Sequence, residues 1–380
     1  MKFIHTADWH LGKLFYGDYL TDEQEWLLKN QFLPLLDEEK PDVLLLAGDV
    51  YDRSVPPSEA VELFDEMVSE IVGVRKVPMI VISGNHDSAE RLSFASRLLR
   101  NAGLFLAGDL TNTLSPVILK DAFGEVAFAP MPYAEPGKVR IVFGKDEVRG
   151  HEEAERALSE FLLGQMQGYG RKIALAHEYV AGGVASDSER PLSIGGTEQI
   201  GVDVFDAYDY TALGHLHGPQ KAGGKENIRY SGSLLKYSFS EVDQKKGVIV
   251  GNMDGAGQVE TRFVSLKPRH DVRIIKGRFD DLMKADDPAE DDFLMAELLD
   301  EGPVIDGMAR LRQRYPNMMT LHSNRKISSD SGERNFDLMK KVDALDMFRT
   351  FYKEFQDREF TEEEEDYMKK LWATLQKEED

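Results

Sequence analysis

Five times along this chain a short apolar run stops at a cluster of polar residues of the kinds that bind metal ions. Lys2–Thr6 runs into Asp8-x-His10, and Asp42–Leu46 into Gly48-Asp49-Val50-Tyr51-Asp52. Pro78–Ile82 runs into Gly84-Asn85-His86-Asp87, Lys172–Ala176 into His177, and Tyr210–Leu213 into Gly214-His215-Leu216-His217. Continuous apolar runs of this length read as strands buried on both faces. Helical spacing lies between several of them: Asp22–Glu38, Ser58–Val72 with Val61, Phe64, Val68 and Ile71, and Ser88–Asn101 with Leu92, Ala95, Leu98 and Leu99. Strands alternating with helices make an α/β sheet, and in such sheets ligand sites lie outside the carboxyl ends of the strands. The clusters are far apart in sequence, yet this pattern predicts that they converge.

Of the chain's nine histidines, five fall in these clusters. Carboxylate, amide and imidazole form a hard-to-borderline ligand set that suits Mn, Fe or Zn better than soft metals. An aspartate at a strand end can offer both oxygens and so serve two ions. Taken singly, each cluster has an ordinary reading: a helix cap at Asp8, a turn at Gly48-Asp49, a hairpin turn at Gly84–Asp87, a polar strand end at His177. Their joint occurrence, each after an apolar strand, is what points to a site.

With 380 residues, of which 42% are hydrophobic, the chain is long enough for two or three domains. The absence of cysteine excludes disulfide scaffolds, cysteine nucleophiles and zinc–thiolate sites. No run approaches 18 apolar residues and the first ten residues hold no apolar signal core, so a cytoplasmic protein with no membrane span is expected. The net charge of −22 argues, by itself, against a nucleic-acid partner. However, residues 280–301 carry −9 and residues 354–380 carry −7, so the other 331 residues share only −6. Global charge therefore says little about a cation-filled site in the first two-thirds of the chain.

From Pro268 the pattern changes to Asp271–Lys276, Asp292–Leu299 and Met318–Ser323 as strands with Gly307–Tyr315 as a helix. The expected organisation is a catalytic domain over 1–267, a small α+β capping domain over 268–323, a polar linker over 324–334 and a helix–loop–helix over 335–380. In that tail Phe336, Leu338, Val342, Leu345, Phe348, Phe351 and Phe355 recur at helical spacing, and Thr361-x-x-Glu364 reads as a capping box.

The strings DWHLGK (8–13), AGDVYDR (47–53), SGNHDS (83–88) and GHLHGPQ (214–220) make the chain resemble the calcineurin-like metallophosphoesterases. AHEYVAGG (176–183), SDSERPLSIGG (186–196) and YSGSLLKYSFSE (230–241) resemble one branch of them, the SbcD family of bacterial double-strand-break repair nucleases. The resemblance implies a four-layer α/β–β/α sandwich with two cations. Asp8, His10, Asp49 and His217 would bind the first, and Asp49, Asn85, His177 and His215 the second. His86 would not ligate but would stabilise the transition state or protonate the leaving oxygen, with Asp52 and Asp87 orienting the ligands or His86. Two Mn²⁺ per protomer are expected, with Fe²⁺ or Zn²⁺ as alternatives. Two cations about 3.5–4 Å apart neutralise a phosphodiester and activate the attacking water.

The same resemblance implies a 3′-to-5′ double-strand exonuclease and a single-strand or hairpin endonuclease, working on DNA with the ATPase SbcC, which the C-terminal helices would bind. It also implies a homodimer through the helices at Ser58–Val72 and Ser88–Asn101, with Leu63 and Met67 as contacts off the core-facing stripe. Lys13, Arg53, Arg91, Arg190, Lys221 and Lys236 are candidate DNA phosphate contacts. The alternatives are a metallophosphatase of the same fold and a DNA-tethering protein with architectural metals. Serine/threonine phosphatases read GDxxDRG and GNHE, but Ser54 follows Arg53 and Asp87 follows His86, which breaks both signatures.

Overall fold

The computed structural model describes residues 1–111, 113–189, 199–300, 302, 304–323, 361, 364–365 and 367–368. Strands Lys2–Thr6, Val43–Ala47, Met79–Ile82 and Leu104–Ala107 lie side by side in parallel. Gly247–Met253 and then Val259–Ser265 extend that sheet on the Lys2–Thr6 side in antiparallel sense. In a second sheet, Gly124–Pro130, Lys172–His177, Tyr210–Gly214 and Ile228–Tyr230 run parallel, with Val117–Asp121 and Gln220–Lys221 antiparallel at its edges.

Side-chain alternation sorts these strands into layers. Phe3, Val43, Leu45, Ile80 and Ile82 of the first sheet share one core with Phe128, Ile173, Leu175, Tyr210 and Ala212 of the second. Their sequence neighbours Ile4, Leu44, Leu46, Met79 and Val81 face the other way, against Leu27, Leu28, Phe32, Phe64, Met67 and Ile71. On the far side, Ala127, Ala129, Ala174 and Ala176 pack with Leu158 and Leu162 of the helix His151–Gln165. Both faces of each sheet are thus covered, which is why the strands read as unbroken apolar runs. The result is the four-layer α/β–β/α sandwich expected from the sequence. His5 crosslinks the two sheets: burial pushes its imidazole down to about 3, so it is neutral. Its ring nitrogens sit 3.0 Å from the Tyr210 hydroxyl and 3.1 Å from the Leu213 carbonyl oxygen.

Two helix expectations need correction. Leu63 and Met67 are not on an outer face; they are 5% and 0% exposed and lie in the core with Ala60, Phe64 and Ile71. These positions share one face at 3.6 residues per turn, whereas Val61, expected from the spacing to face the core, is 45% exposed. The expected helix over Ser88–Asn101 is broken into Ala89–Leu92, Ser96–Leu99 and a single turn at Arg100–Ala102. Ala95 causes the break by adopting a left-handed φ of 56°.

Val272–Gly277, Phe293–Leu298 and Met318–Ser323 form a separate three-stranded parallel sheet. Its helices Phe279–Lys284 and Gly307–Arg314 cover one face around Leu294, Ala296, Leu311 and Tyr315. Val272, Phe293, Met295 and Met319 join the main core instead, so this sheet and the sandwich fall into one compact unit, Met1–Ser323. Asn324–Asp380 is a second unit. Within it the Thr361 N–H donates to Glu364 Oε2 at 2.9 Å and the Glu364 N–H to Thr361 Oγ1 at 3.3 Å, the reciprocal bonds of a capping box. The expected linker lies outside the described residues, as does the expected helix–loop–helix apart from 361, 364–365 and 367–368. Among the described residues no helix is long and apolar enough to cross a membrane.

Candidate metal centre

The carboxyl ends of the five strands meet at one place, held there by strained but well-tied loops. Asp8, His10, Asp49 and His215 have φ values of 52°, 45°, 48° and 100°. Such conformations cost non-glycine residues about 1–3 kcal/mol each and persist where the surroundings over-determine them. The over-determination is visible: the N–H groups of Asp8, His10 and Leu11 donate to the carbonyls of Gly48, Asp49 and Val50 at 3.1, 2.9 and 2.9 Å. Asp87 accepts three further N–H groups, from Val50, Tyr51 and Gly84 at 3.1, 2.9 and 2.9 Å, and so clamps the second loop to the third. At Gly48, with φ at +87°, a Cβ would sit 2.2 Å from His177 Nδ1; at Gly84 it would sit 2.1 Å from Asp49 Oδ1. Only glycine allows these approaches.

Asp49 is 2% exposed, and its Oδ2 lies 3.4 Å from His10 Nε2 and 3.4 Å from His177 Nε2. On one side, His10 Nε2 is 3.1 Å from His217 Nε2. On the other, His177 Nε2 is 3.0 Å from Asn85 Oδ1. Asp8 accepts the His215 N–H on Oδ1 at 2.9 Å, while its buried Oδ2 has no hydrogen-bond partner. Three groups of ligand atoms each fall within 4.8 Å: Asp8, His10 and His217; His10, Asp49 and His86; Asp8, Asp49 and His177. His215 belongs to none of these groups, its ring centroid being 5.5 Å from that of His177.

The orientation of the histidine rings is set by what their other nitrogens meet. His177 Nδ1 faces the Ala47 carbonyl at 2.9 Å, which turns Nε2 toward Asp49. His86 Nδ1 faces the Asp52 carbonyl at 2.8 Å. Asp52 lies between His10 and Lys13, its Oδ1 being 3.4 Å from His10 Nδ1 and 2.9 Å from the Lys13 ammonium.

These residues fit divalent cations, because the pocket is short of positive charge. Asp8 and Asp49 are both buried, and burial pushes the Asp8 carboxyl up to about 7. Burial opposes a charged His177, yet Asp49 and Asp8 overcome it and hold the imidazole up to about 10. Burial also pushes His10 down to about 3 and His215 well below its ordinary range, which keeps both in the neutral, ligating form. A buried carboxylate oxygen without a donor, beside neutral imidazoles and an amide oxygen, is the donor set of an Mn, Fe or Zn site.

The basic residues are placed less uniformly. Arg53 and Arg91 are exposed. Lys13 is paired with Asp52, Lys221 with Glu226, and Lys236 with Asp271 at 2.9 Å with only 10% of its side chain exposed. Arg190 lies outside the described residues.

Sequence reasoning missed the residues that hold these ligands from behind. Gln24, fully buried in the first helix, donates to the carbonyls of Trp9 and His10 at 3.0 and 2.8 Å and accepts the Gly12 N–H at 3.1 Å. The Tyr237 hydroxyl donates to the Trp9 carbonyl at 2.5 Å. Behind His217 stand Ser188, Glu189, Glu241 and Lys246. Their only signal in the sequence is that Ser188, Glu189 and Glu241 fall within the strings at 186–196 and 230–241.

Residues 1–219 match the family model of calcineurin-like phosphoesterases, and residues 268–355 match that of the type 5 capsule protein repressor C-terminal domain. The chain is 34% identical over 379 residues to the D component of the nuclease SbcCD of Staphylococcus epidermidis, covering 99% of each chain. A calcineurin-like phosphoesterase, YfkN of Bacillus subtilis, is 15% identical with a TM-score of 0.39, covering 70% of this chain and 90% of its own. A dimetal phosphatase of Danio rerio is 15% identical with a TM-score of 0.43, covering 70% and 99%. At that distance neither structure bears on the details of the present site.

Proposed function

Because this chain belongs to the calcineurin-like phosphoesterases and, among them, to the SbcD nucleases, we propose that it is a two-cation DNA nuclease. The observation that carries the two-cation reading is the Asp49 carboxylate, whose Oδ2 stands 3.4 Å from one histidine of each group. Asp8, His10, Asp49 and His217 hold the first cation, and Asp49, Asn85, His177 and His215 the second. Two Mn²⁺ are the proposed occupants, with Fe²⁺ or Zn²⁺ as alternatives. Bound there, divalent cations supply Lewis acidity and a more acidic water, and neutralise an anionic phosphodiester.

His86 faces the reacting phosphate. With Nδ1–H held by the Asp52 carbonyl, the doubly protonated imidazole gives its Nε2 proton to the leaving oxygen and is left as the neutral Nδ1–H ring. Asp52 and Asp87 position rather than react: Asp52 through His86 and His10, Asp87 through three backbone N–H groups. Arg53 and Arg91, both exposed, are proposed to meet DNA phosphates, as is Lys13, which is paired with Asp52.

The relative's name makes it part of SbcCD, and we assign the same place to this chain: DNA double-strand-break repair in complex with the SbcC ATPase. The activities are 3′-to-5′ exonuclease on duplex DNA and endonuclease on single strands and hairpins. The C-terminal helices are the proposed SbcC-binding element. A homodimer is proposed through the apolar groove between the Ser58–Val68 helix and the broken 89–102 segment, where Phe94 is 81% exposed; Leu98, elsewhere on that segment, is 76% exposed.

The test is cleavage of blunt, hairpin and single-stranded DNA with and without Mn²⁺. Mn²⁺-dependent cutting that a chelator abolishes is expected. Hydrolysis of phosphomonoesters with no cutting of any DNA would overturn the assignment in favour of a phosphatase.

A further inference from the structure

We propose that Glu241 and Ser188 are positioning residues that fix the tautomer of His217, so that its Nε2 lone pair faces the cation pocket. The proposal rests on the reading of His217 as a cation ligand. It gives a role to the strings SDSERPLSIGG and YSGSLLKYSFSE, because Ser188 comes from the first and Glu241 from the second.

Glu241 is fully buried, and its Oε2 is paired with the Lys246 ammonium at 2.5 Å. Lys246 is itself 5% exposed, and its ammonium also lies within hydrogen-bond distance of the His217 carbonyl, Ser233 Oγ and Gln244 Oε1, at 2.7, 2.9 and 2.8 Å. The ion pair keeps Glu241 a carboxylate, which can only accept. The Tyr237 N–H reaches its Oε2 at 3.3 Å, and the Ser188 hydroxyl donates to its Oε1.

A serine hydroxyl has one proton to give. Given to Glu241, it leaves Ser188 Oγ only lone pairs for His217 Nδ1, 2.6 Å away. His217 must therefore carry its proton on Nδ1, and Nε2 is left bare. That nitrogen stands 3.1 Å from His10 Nε2, and His217 falls in a group with Asp8 and His10. The opposite tautomer would aim an N–H at the pocket and could not ligate. Glu189 adds a second hold on the same residue, accepting the His217 N–H at 2.8 Å. The segment carrying Ser188 and Glu189 is thereby tied to the first cation position.

The experiment compares wild type with Ser188→Ala, Ser188→Thr and Glu241→Gln. Histidine nitrogen NMR on metal-free protein reads the tautomer, and calorimetry with Mn²⁺ alone reads affinity. Wild type and Ser188→Thr are expected to hold His217 as the Nδ1–H form and to bind Mn²⁺ alike. Ser188→Ala is expected to lose that preference and to weaken one of the two sites by roughly 10–100-fold, leaving the other unchanged. A Ser188→Ala protein that keeps both the tautomer and the affinity would overturn the proposal. Glu241→Gln, which leaves Lys246 without its counter-ion, is judged only alongside Ser188→Ala, which buries no new charge. Should wild type bind no Mn²⁺, the cation reading falls, and the tautomer change alone decides the relay.

Discussion

Asp49 and His86 are tied by one hydrogen bond: the backbone N–H of His86 donates to Oδ1 of Asp49 at 2.9 Å. The bond occupies one oxygen of the shared carboxylate and leaves the other facing His10 and His177. It also fixes the backbone of His86 independently of its imidazole. Removing the ring should therefore leave the cation positions intact. For His86→Ala we expect Mn²⁺ binding within about a factor of two of wild type and a fall in single-turnover DNA cleavage of about 10²–10⁴-fold. Calorimetry and a cleavage assay on the same preparation check this; full activity in the variant would remove His86 from the chemistry.

The buried pair of Arg171 and Asp121, with bonds of 2.7 and 2.9 Å and side chains 5% and 6% exposed, stiffens the second sheet away from the site. Arg171→Ala leaves the buried Asp121 carboxylate only the Met1 ammonium, at 2.5 Å, as an ionic partner and is expected to cost about 1–3 kcal/mol of stability. The Arg171 guanidinium holds the Asp121 carboxyl well below the usual carboxylate range. Its contribution is thus complete above the unfolded value of about 4 and fades as pH falls through the lower folded value. Denaturant melts of both proteins should show a gap that is constant from neutral pH to about 5 and narrows in stronger acid.

The exposed face of the 89–102 segment carries Phe94 and Leu98. Phe94→Asp with Leu98→Asp should give a monomer by light scattering, with unfolding midpoint nearly unchanged because neither side chain is in the core. Leu63→Asp, at a position 5% exposed, should instead lower stability outright. A double variant that remains dimeric would place the interface elsewhere.

Since Met1–Ser323 is a compact unit of its own, deleting residues 331–380 should spare Mn²⁺-dependent cleavage of short DNA. The same truncation should abolish capture of SbcC in a pull-down. Undiminished SbcC binding would exclude the tail as the docking element.

The α/β sheets and the clusters of candidate ligands were legible in the sequence because strands buried on both faces leave unbroken apolar runs and each run ends at its cluster; the four-layer sandwich came only with the family resemblance. The helix faces were not. At Val61 and Leu63 nearby apolar residues compete for the same stripe, and only the packed helix shows that Leu63, Met67 and Ile71 point inward. The break at Ala95 was equally hidden, since alanine carries no sequence signal for a left-handed φ.

The supports behind the site were illegible for a different reason. Ser188 and Glu241 are 53 residues apart, and a lone serine or glutamate is ordinary in any loop. Gln24 sits in a helix whose pattern explains it as surface, yet it is fully buried under the first loop. Such residues gain meaning only when the fold brings them to a backbone carbonyl or an imidazole nitrogen.

In the proposed site one carboxylate, Asp49, serves two cations. This is tested most directly by titrating Mn²⁺ into wild type and Asp49→Ala and counting the ions bound per chain. Wild type should bind two ions and Asp49→Ala neither, because two neighbouring cations would be left without a shared anion. Two ions still bound by Asp49→Ala with wild-type affinity would contradict it.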